Sequence, residues 1–215
     1  MIELKDVYLS YTKDYNALQD VNLKIEQNEH VVVFGEENSG KSSLLRVMVG
    51  LENPNKGTAY IKGVPANKVD FKEVVSLCYM PVKPVFMEGK SVLKNLEYPL
   101  KIRKVDKNLR QVKLFNVLKS YGLDAIKDLK LKELSYFDRL KVCIGRFALR
   151  NAEVFVVDDV FEKLGEQEKK KIVDYLNDLI KFNNATSVIA TNDKKLISKL
   201  GGRVVVIENG SLQNW

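Results

Sequence analysis

The sequence predicts an α/β fold, with buried parallel strands alternating with helices and an antiparallel β layer at the N-terminal end. Three observations predict it. The short runs "HVVVFG", "VFVVDD" and "TSVIATN" each carry an apolar stretch closed by glycine or a polar residue, and the first is continuously apolar after His30, the pattern of strands buried on both faces. Segments with apolar residues at helical spacing separate these runs. The first thirty residues instead alternate polar and apolar positions over short stretches, as half-exposed strands do.

Taken in order, "IELKDVYLSYTKDYNALQDVNLKIEQNEH" predicts several strands, with turns at "TKDYN" and "EQNE". "HVVVFG" is a buried strand ending at Gly35. "KSSLLRVMVGL" is a helix closing at Gly50, and "NPNKGTAYIKGVP" is turn, strand, turn. From about Lys90 to Ala125 the chain is mostly helical. Ser91 caps "VLKNLEYPL", and Leu109, Val112, Leu114, Phe115, Val117 and Leu118 form an amphipathic helix ending at Gly122. Ser135 to Arg150 is a further helix, "VFVVDD" a second buried strand, Gln167 to Phe182 a polar-faced helix, and "TSVIATN" a third strand. "RVVVIENGSL" is a closing hairpin with Asn209-Gly210 at its turn.

Composition bounds the rest. A chain of 215 residues with 45% hydrophobic and 29% charged residues is ordinary globular material, enough for one domain or one domain with a subdomain. No basic stretch followed by an apolar run opens the sequence, so no leader peptide is expected. The longest apolar runs are too short to span a bilayer. Two cysteines, Cys78 and Cys143, sit in apolar surroundings and are expected to be buried free thiols, and a single histidine leaves no zinc set. The protein is expected in the cytosol, either free or peripheral to a membrane. The net charge of +7 reads as solvated lysines on helix faces, with attraction to anionic lipid or an acidic partner as the alternative. Nucleic acid is not expected, since the lysines are scattered and no aromatic-interleaved basic stripe occurs.

The most specific signal is "GEENSGKSS", Gly35 to Ser43. Gly35, Gly40, Lys41 and Ser42 fill the spacing of a phosphate-binding loop. Glycines permit the backbone angles that turn successive N–H groups toward phosphate oxygens. The loop opens a helix whose N-terminus carries partial positive charge. Lys41 is expected to reach the β- and γ-phosphates and Ser42 to hold Mg²⁺. Glu36, Glu37, Asn38, Ser39 and Ser43 complete the cradle. The two glutamates either point outward or add like charge near the γ-phosphate, and Asn38 stands where a third glycine is common. Asp158, at the end of "VFVVD", is the second half of the site and is expected on the metal. An acid at a strand end also serves simply as a helix-entering residue, and that reading stays open.

These residues, with "YTKDYNALQDVNLKI", "VGLENPNKGTAYIKG", "SVLKNLEYPL" and "ATNDKKLI", resemble the ATP-binding subunit of an ABC transporter over nearly the whole chain. The resemblance implies a P-loop NTPase with a RecA-like parallel core, an N-terminal antiparallel β subdomain and an inserted helical subdomain at about 83–145, in one nucleotide-binding domain spanning 1–215. It implies ATP and Mg²⁺ as cofactors, with Tyr11 stacking on adenine, although an aromatic on a sheet edge explains Tyr11 equally well. It also implies a dimer, homo- or heteromeric, sandwiching two nucleotides. That dimer is expected at the inner face of a membrane, coupled to a transmembrane subunit.

Five motifs depart from the family pattern. The signature LSGGQ is here "LSYFD": Leu134 and Ser135 remain, and the resemblance implies Ser135 as a nucleotide-binding residue, while Tyr136 and Phe137 replace both glycines. Two rings there block the approach of a partner's γ-phosphate or force strained backbone, unless this helix start is merely structural. Asp159 stands where a glutamate polarises the attacking water. Its carboxylate falls back by about an ångström, a displacement that can cost ~10²-fold. Asn192 replaces the switch histidine and cannot titrate near neutral pH. Val82 replaces the glutamine that senses γ-phosphate and metal, and Gly165 replaces the aspartate of the dimer-contact loop. The lone histidine, His30, reads as structural.

The expectation is an ATP-binding subunit that holds MgATP, couples to a membrane protein, and hydrolyses slowly or not at all, with Asp159 and Asn192 as weakened catalytic positions. The alternatives are a working ATPase with Asp159 as base, a scaffold or regulator that no longer uses nucleotide, and a different P-loop enzyme such as a small-molecule kinase.

Overall fold

Residues 1–12, 15–71 and 75–213 are described by the computed structural model. The expected turn at Lys13-Asp14 lies outside the described residues. In chain order the elements are β1 (Ile2–Thr12), β2 (Tyr15–Ile25), β3 (His30–Phe34), α1 (Lys41–Met48), β4 (Lys56–Ile61), β5 (Val64–Pro65), β6 (Leu77–Met80), α2 (Val92–Ile102), α3 (Lys107–Ser120), α4 (Tyr136–Ala148), β7 (Val154–Asp158), α5 (Glu166–Asn183), β8 (Thr186–Thr191), α6 (Lys194–Leu200), β9 (Arg203–Glu208) and β10 (Ser211–Gln213). The chain forms two compact units. The first comprises Met1–Val82, Glu153–Phe161 and the chain from Ile180 onward; the second comprises Lys83–Ala152 and Glu162–Leu179.

The first unit holds two sheets. One is antiparallel, in the order β2-β1-β4-β5; the other runs β10-β9-β3-β8-β7-β6. In the latter, β9, β3, β8, β7 and β6 are mutually parallel, and only β10 is reversed. The continuous apolar runs account for this arrangement. Every residue of β7 and of β8 is buried, which suits strands covered on both faces. The polar residues inside β8 have partners: the Thr186 hydroxyl accepts from the Asn28 N–H at 2.9 Å, and Ser187 Oγ lies 3.1 Å from His30 Nδ1. The role expected for His30 is therefore visible as a tie between neighbouring strands.

Helix α1 touches β1, β2 and β4 of the antiparallel sheet and β7 and β8 of the parallel one. Its Leu44, Leu45, Val47 and Met48 are buried in the core that both sheets share. Each such side chain contributes about 1.5–3 kcal/mol through burial. The turn at "EQNE" closes through a bond from the Glu29 N–H to the Glu26 carbonyl. At the chain's closing hairpin, Asn209 and Gly210 take φ of 48° and 77°, so a two-residue loop with both φ positive joins β9 to β10.

The second unit is helical. Gly145 on α4 sits where an added Cβ would come within 2.9 Å of Val117 and 3.0 Å of Leu96, so α2, α3 and α4 close tightly at that point. Tyr121 and Tyr175 meet edge to face, with ring centroids 5.1 Å apart. Of the six apolar residues expected to form one face of α3, the helix divides the set. Leu114, Val117 and Leu118 are buried, while Leu109, Val112 and Phe115 are half or more exposed on the opposite arc. Cys78 and Cys143 are both buried. Among the described residues no helix is long and apolar enough to cross a membrane.

Candidate functional site

Parallel pairing assembles the site. Phe34 pairs with Thr191, Ala190 with Asp158, and Val157 with Met80, so β3, β8, β7 and β6 end along one edge of the sheet. Gly35 follows the first of these strands, Asn192 the second, Asp159 the third and Val82 the last. Ligands of open α/β sheets bind at this carboxyl edge.

The loop from Gly35 to Gly40 turns from β3 into α1. Its glycines answer to their neighbours. A Cβ on Gly35 would sit 2.4 Å from Ser39 Oγ and 2.5 Å from the Ile207 carbonyl oxygen. Gly40 has φ of 107°, and a Cβ there would meet the Ala17 carbonyl oxygen at 2.6 Å. Asn38, where a third glycine was the comparison, takes φ of 60°, the left-handed region that asparagine tolerates better than most residues. Glu36, Glu37 and Asn38 are exposed, whereas Ser39 and Ser43 are buried. The β9–β10 turn braces the loop, since the Gly210 N–H donates to the Ser39 carbonyl at 2.9 Å.

Lys41 is buried, and its ammonium donates to the carbonyls of Gly35 at 2.8 Å and Glu36 at 2.7 Å. It also lies 3.5 Å from Asp159 Oδ2. The other oxygen of that carboxylate, Oδ1, is buried with no hydrogen-bond partner among the described residues, and the same holds for Ser39 Oγ. Burial raises the Asp159 carboxyl above its ordinary range; Lys41 pulls it down, Asp158 pushes it up and the Asn192 backbone pulls it down, and the net direction is upward. The residue takes φ of 42° immediately after β7.

Asp158 is 2% exposed and accepts two hydrogen bonds. The Ser42 hydroxyl donates to Oδ1 at 2.8 Å, and the Tyr79 hydroxyl donates to Oδ2 at 3.0 Å. Burial, reinforced by the Asp158 carboxylate, drives the Tyr79 hydroxyl well above the usual phenol range, so it stays a donor. Hard oxygen donors from one carboxylate and one hydroxyl suit Mg²⁺, which keeps several waters and takes substrate phosphate as a further ligand. The unpaired, buried Ser39 Oγ within the loop likewise suits an anion lodged there.

Tyr11 is half-exposed and its hydroxyl is engaged. It donates to Glu52 at 2.8 Å, accepts from Arg46 at 2.9 Å, and lies 3.0 Å from Ser43 Oγ. Asn192 is exposed at the β8 end, and Val82 is 37% exposed past β6. Ser135 and Gly165 belong to the second unit, where their contacts are local. Ser135 is the N-cap of α4: its hydroxyl accepts from the Asp138 N–H at 3.1 Å and donates to the Asp138 carboxylate at 2.8 Å. Tyr136 and Phe137 occupy the first helical turn without positive φ, so the rings impose no backbone strain. Lys141 pairs with Asp138 at 2.8 Å and stands over the Phe137 ring at 5.1 Å. Burial pushes the Asp138 carboxyl up, but the bonds from Lys141 and Ser135 outweigh it and hold the carboxyl below its ordinary range. The Gly165 N–H donates to Glu168 at 3.0 Å, and its φ is not one that requires glycine.

Sequence reasoning missed Tyr79 and Gly210. A tyrosine in an apolar strand carries no motif signal, and a hairpin glycine is explained by its own turn. Only the pairing of β6 with β7, and the packing of the closing hairpin on the loop, give them partners.

The profile of the family described as "ABC transporter" matches residues 18–162. The chain is 31% identical to the methionine import ATP-binding protein MetN of Bacillus subtilis (strain 168), over 99% of this chain and 64% of that protein. It is 28% identical to MetN 1 of Oenococcus oeni (strain ATCC BAA-331 / PSU-1), over 99% of this chain and 63% of that protein. The chain thus spans less than two-thirds of the length of these relatives. Among solved structures, the ATP-binding cassette MJ0796 in a dimeric post-hydrolysis state with ADP and Pi superposes with a TM-score of 0.87 at 25% identity, covering 100% of this chain and 97% of that one. The two sheets and the loop between β3 and α1 are accordingly a P-loop NTPase fold of the cassette type. By its fold and by a family match over most of its length, the chain belongs to the ABC transporter family.

Proposed function

We propose that this chain is the ATP-binding subunit of an ABC-type membrane transport complex, holding MgATP and hydrolysing it slowly or not at all. The observation that carries the binding half is the Gly35–Ser43 loop at the sheet's carboxyl edge, with Lys41 buried beneath it and Ser42 bonded to Asp158. In this reading the loop N–H groups and Lys41 bind the phosphates. Ser42 and Asp158 hold Mg²⁺, which neutralises phosphate charge when bound. Tyr11 lies beside the base. The names of the two relatives, both methionine import ATP-binding proteins, support a transport role. The dimeric cassette supports pairing of two such chains, identical or different, under a transmembrane subunit at the inner membrane face. Nucleotide occupancy then sets the state of the complex, because a ligand stabilises whichever conformation it binds better.

The slow half rests on Asp159. Its Oδ2 lies 3.5 Å from the Lys41 ammonium, and its side chain is one methylene shorter than the glutamate that the family pattern has there. Asn192 has no titrating group, and the Val82 side chain has no polar atom. Tyr136 and Phe137 give the start of α4 two bulky rings in place of open backbone.

A second reading, a working ATPase with Asp159 as base, is favoured by the unpartnered Oδ1 and the raised Asp159 carboxyl, both of which suit proton abstraction. Two measurements separate the readings. Nucleotide binding by calorimetry, lost in Lys41→Ala, is expected under both and excludes a pure scaffold. Steady-state phosphate release, measured alone and with the membrane partner, is expected to be slow. Release at ordinary transporter rates, stopped by Asp159→Asn, would establish the second reading and sink the first.

A further inference from the structure

The metal side of the site is organised from β6 as well as from the phosphate loop. Asp158 is 2% exposed, so both of its oxygens need donors. Ser42, at the start of α1, serves Oδ1 at 2.8 Å, and Tyr79, near the end of β6, serves Oδ2 at 3.0 Å. One donor on each oxygen, arriving from two separate elements, fixes the plane of the carboxylate. The pairing of Tyr79 with Val156 anchors the tyrosine two positions upstream of Asp158 on the adjoining strand. The side chain of Val82, farther along the same segment, has no polar atom with which to make such a link.

We propose that Tyr79 is a positioning residue for the metal. It holds Oδ2, so that Oδ1 and the Ser42 hydroxyl stay aimed at a divalent cation. Ser42 can donate to Oδ1 while a lone pair on its oxygen faces the ion. Removing the Tyr79 hydroxyl leaves Oδ2 without its donor and frees the carboxylate to rotate. Partners of this kind, one shell removed from a metal, change its affinity by roughly 10–100-fold when lost. The inference rests on the MgATP reading of the site and deepens it.

The test is Tyr79→Phe, which keeps the ring and removes only the hydroxyl. Mn²⁺ is titrated into the protein–ADP complex and free Mn²⁺ is read by electron paramagnetic resonance. ADP affinity is measured separately in EDTA. The expected result is a Mn²⁺ dissociation constant raised about 10-fold, with metal-free ADP affinity within twofold of wild type. An unchanged Mn²⁺ affinity overturns the proposal. Equal losses with and without metal also overturn it, since they mark general damage to the fold. Should Tyr79→Phe fail to fold, Tyr79→Leu, which carries neither a donor nor a metal ligand, carries the same comparison with the same outcomes. Failure of the MgATP reading is told apart because wild type would then bind ADP neither with metal nor without it.

Discussion

Replacing Asp159 with asparagine is expected to make the nucleotide-free protein more stable at neutral pH. The carboxylate is largely buried, one of its oxygens has no hydrogen-bond partner, and the other reaches Lys41 only at 3.5 Å. Lys41 keeps two carbonyl acceptors at 2.8 and 2.7 Å, so its donors stay satisfied when Asp159 is neutralised. The raised Asp159 carboxyl means that burial outweighs Lys41 and that the folded state disfavours the charge. A buried polar group without a partner costs about 1–3 kcal/mol. Asparagine retains part of that cost through its own amide, leaving a gain of about 1 kcal/mol, or roughly 2–4 °C in a chain of this size. The left-handed φ of 42° is no obstacle to asparagine. The pH dependence follows from the direction of the shift. A group whose folded pKa lies above its unfolded value favours folding fully below the unfolded pKa, and that contribution is lost as pH rises through the folded pKa. Wild type should therefore gain on the variant as pH falls from neutral into the ordinary carboxylate range near ~4, and the difference should close there. Calorimetric unfolding of both proteins from pH 8 to pH 4, without nucleotide, is the assay. A variant less stable than wild type at neutral pH would refute the reasoning, as would a difference that does not change with pH.

Three further outcomes follow from particular contacts. Gly210→Val places a β-branched side chain at φ of 77° and 2.7 Å from the Ala17 carbonyl, so a loss of about 1–3 kcal/mol in thermal unfolding and weaker nucleotide binding through the Ser39 contact are expected; unchanged nucleotide affinity would show that the hairpin does not brace the loop. Ser135→Ala removes the N-cap of α4 and should cost about 1 kcal/mol while leaving nucleotide affinity within twofold, and a tenfold weaker affinity in a dimer would show that Ser135 touches nucleotide. Val112→Lys, on the exposed arc of α3, should change stability by less than about 0.5 kcal/mol, and a loss of several degrees would place that arc in a core.

From the sequence alone came the phosphate loop and most of the elements, but not β6 (Leu77–Met80) or α6 (Lys194–Leu200), which carry too short a pattern to be assigned without their neighbours. Those signals are local: an apolar run, a helical period, a glycine spacing and a paired Asn209-Gly210 each fit within a dozen residues, and backbone sterics act on that scale. Ser42 and Asp158 were candidates from the sequence because each stands at a fixed place relative to its own helix or strand, and the structure brings the two side chains to 2.8 Å. The tertiary structure alone decided how the charges and donors of the site pair. Asp159 reaches Lys41, Tyr79 reaches Asp158, and Gly210 reaches the loop across separations of roughly eighty to a hundred and seventy residues, set by the parallel order of the strands and the closing hairpin. It also decided which of the six apolar residues of α3 are buried, since a helical period gives the faces of a helix but not its neighbours. Such pairings depend on which strand lies beside which, and no short window of sequence contains that information.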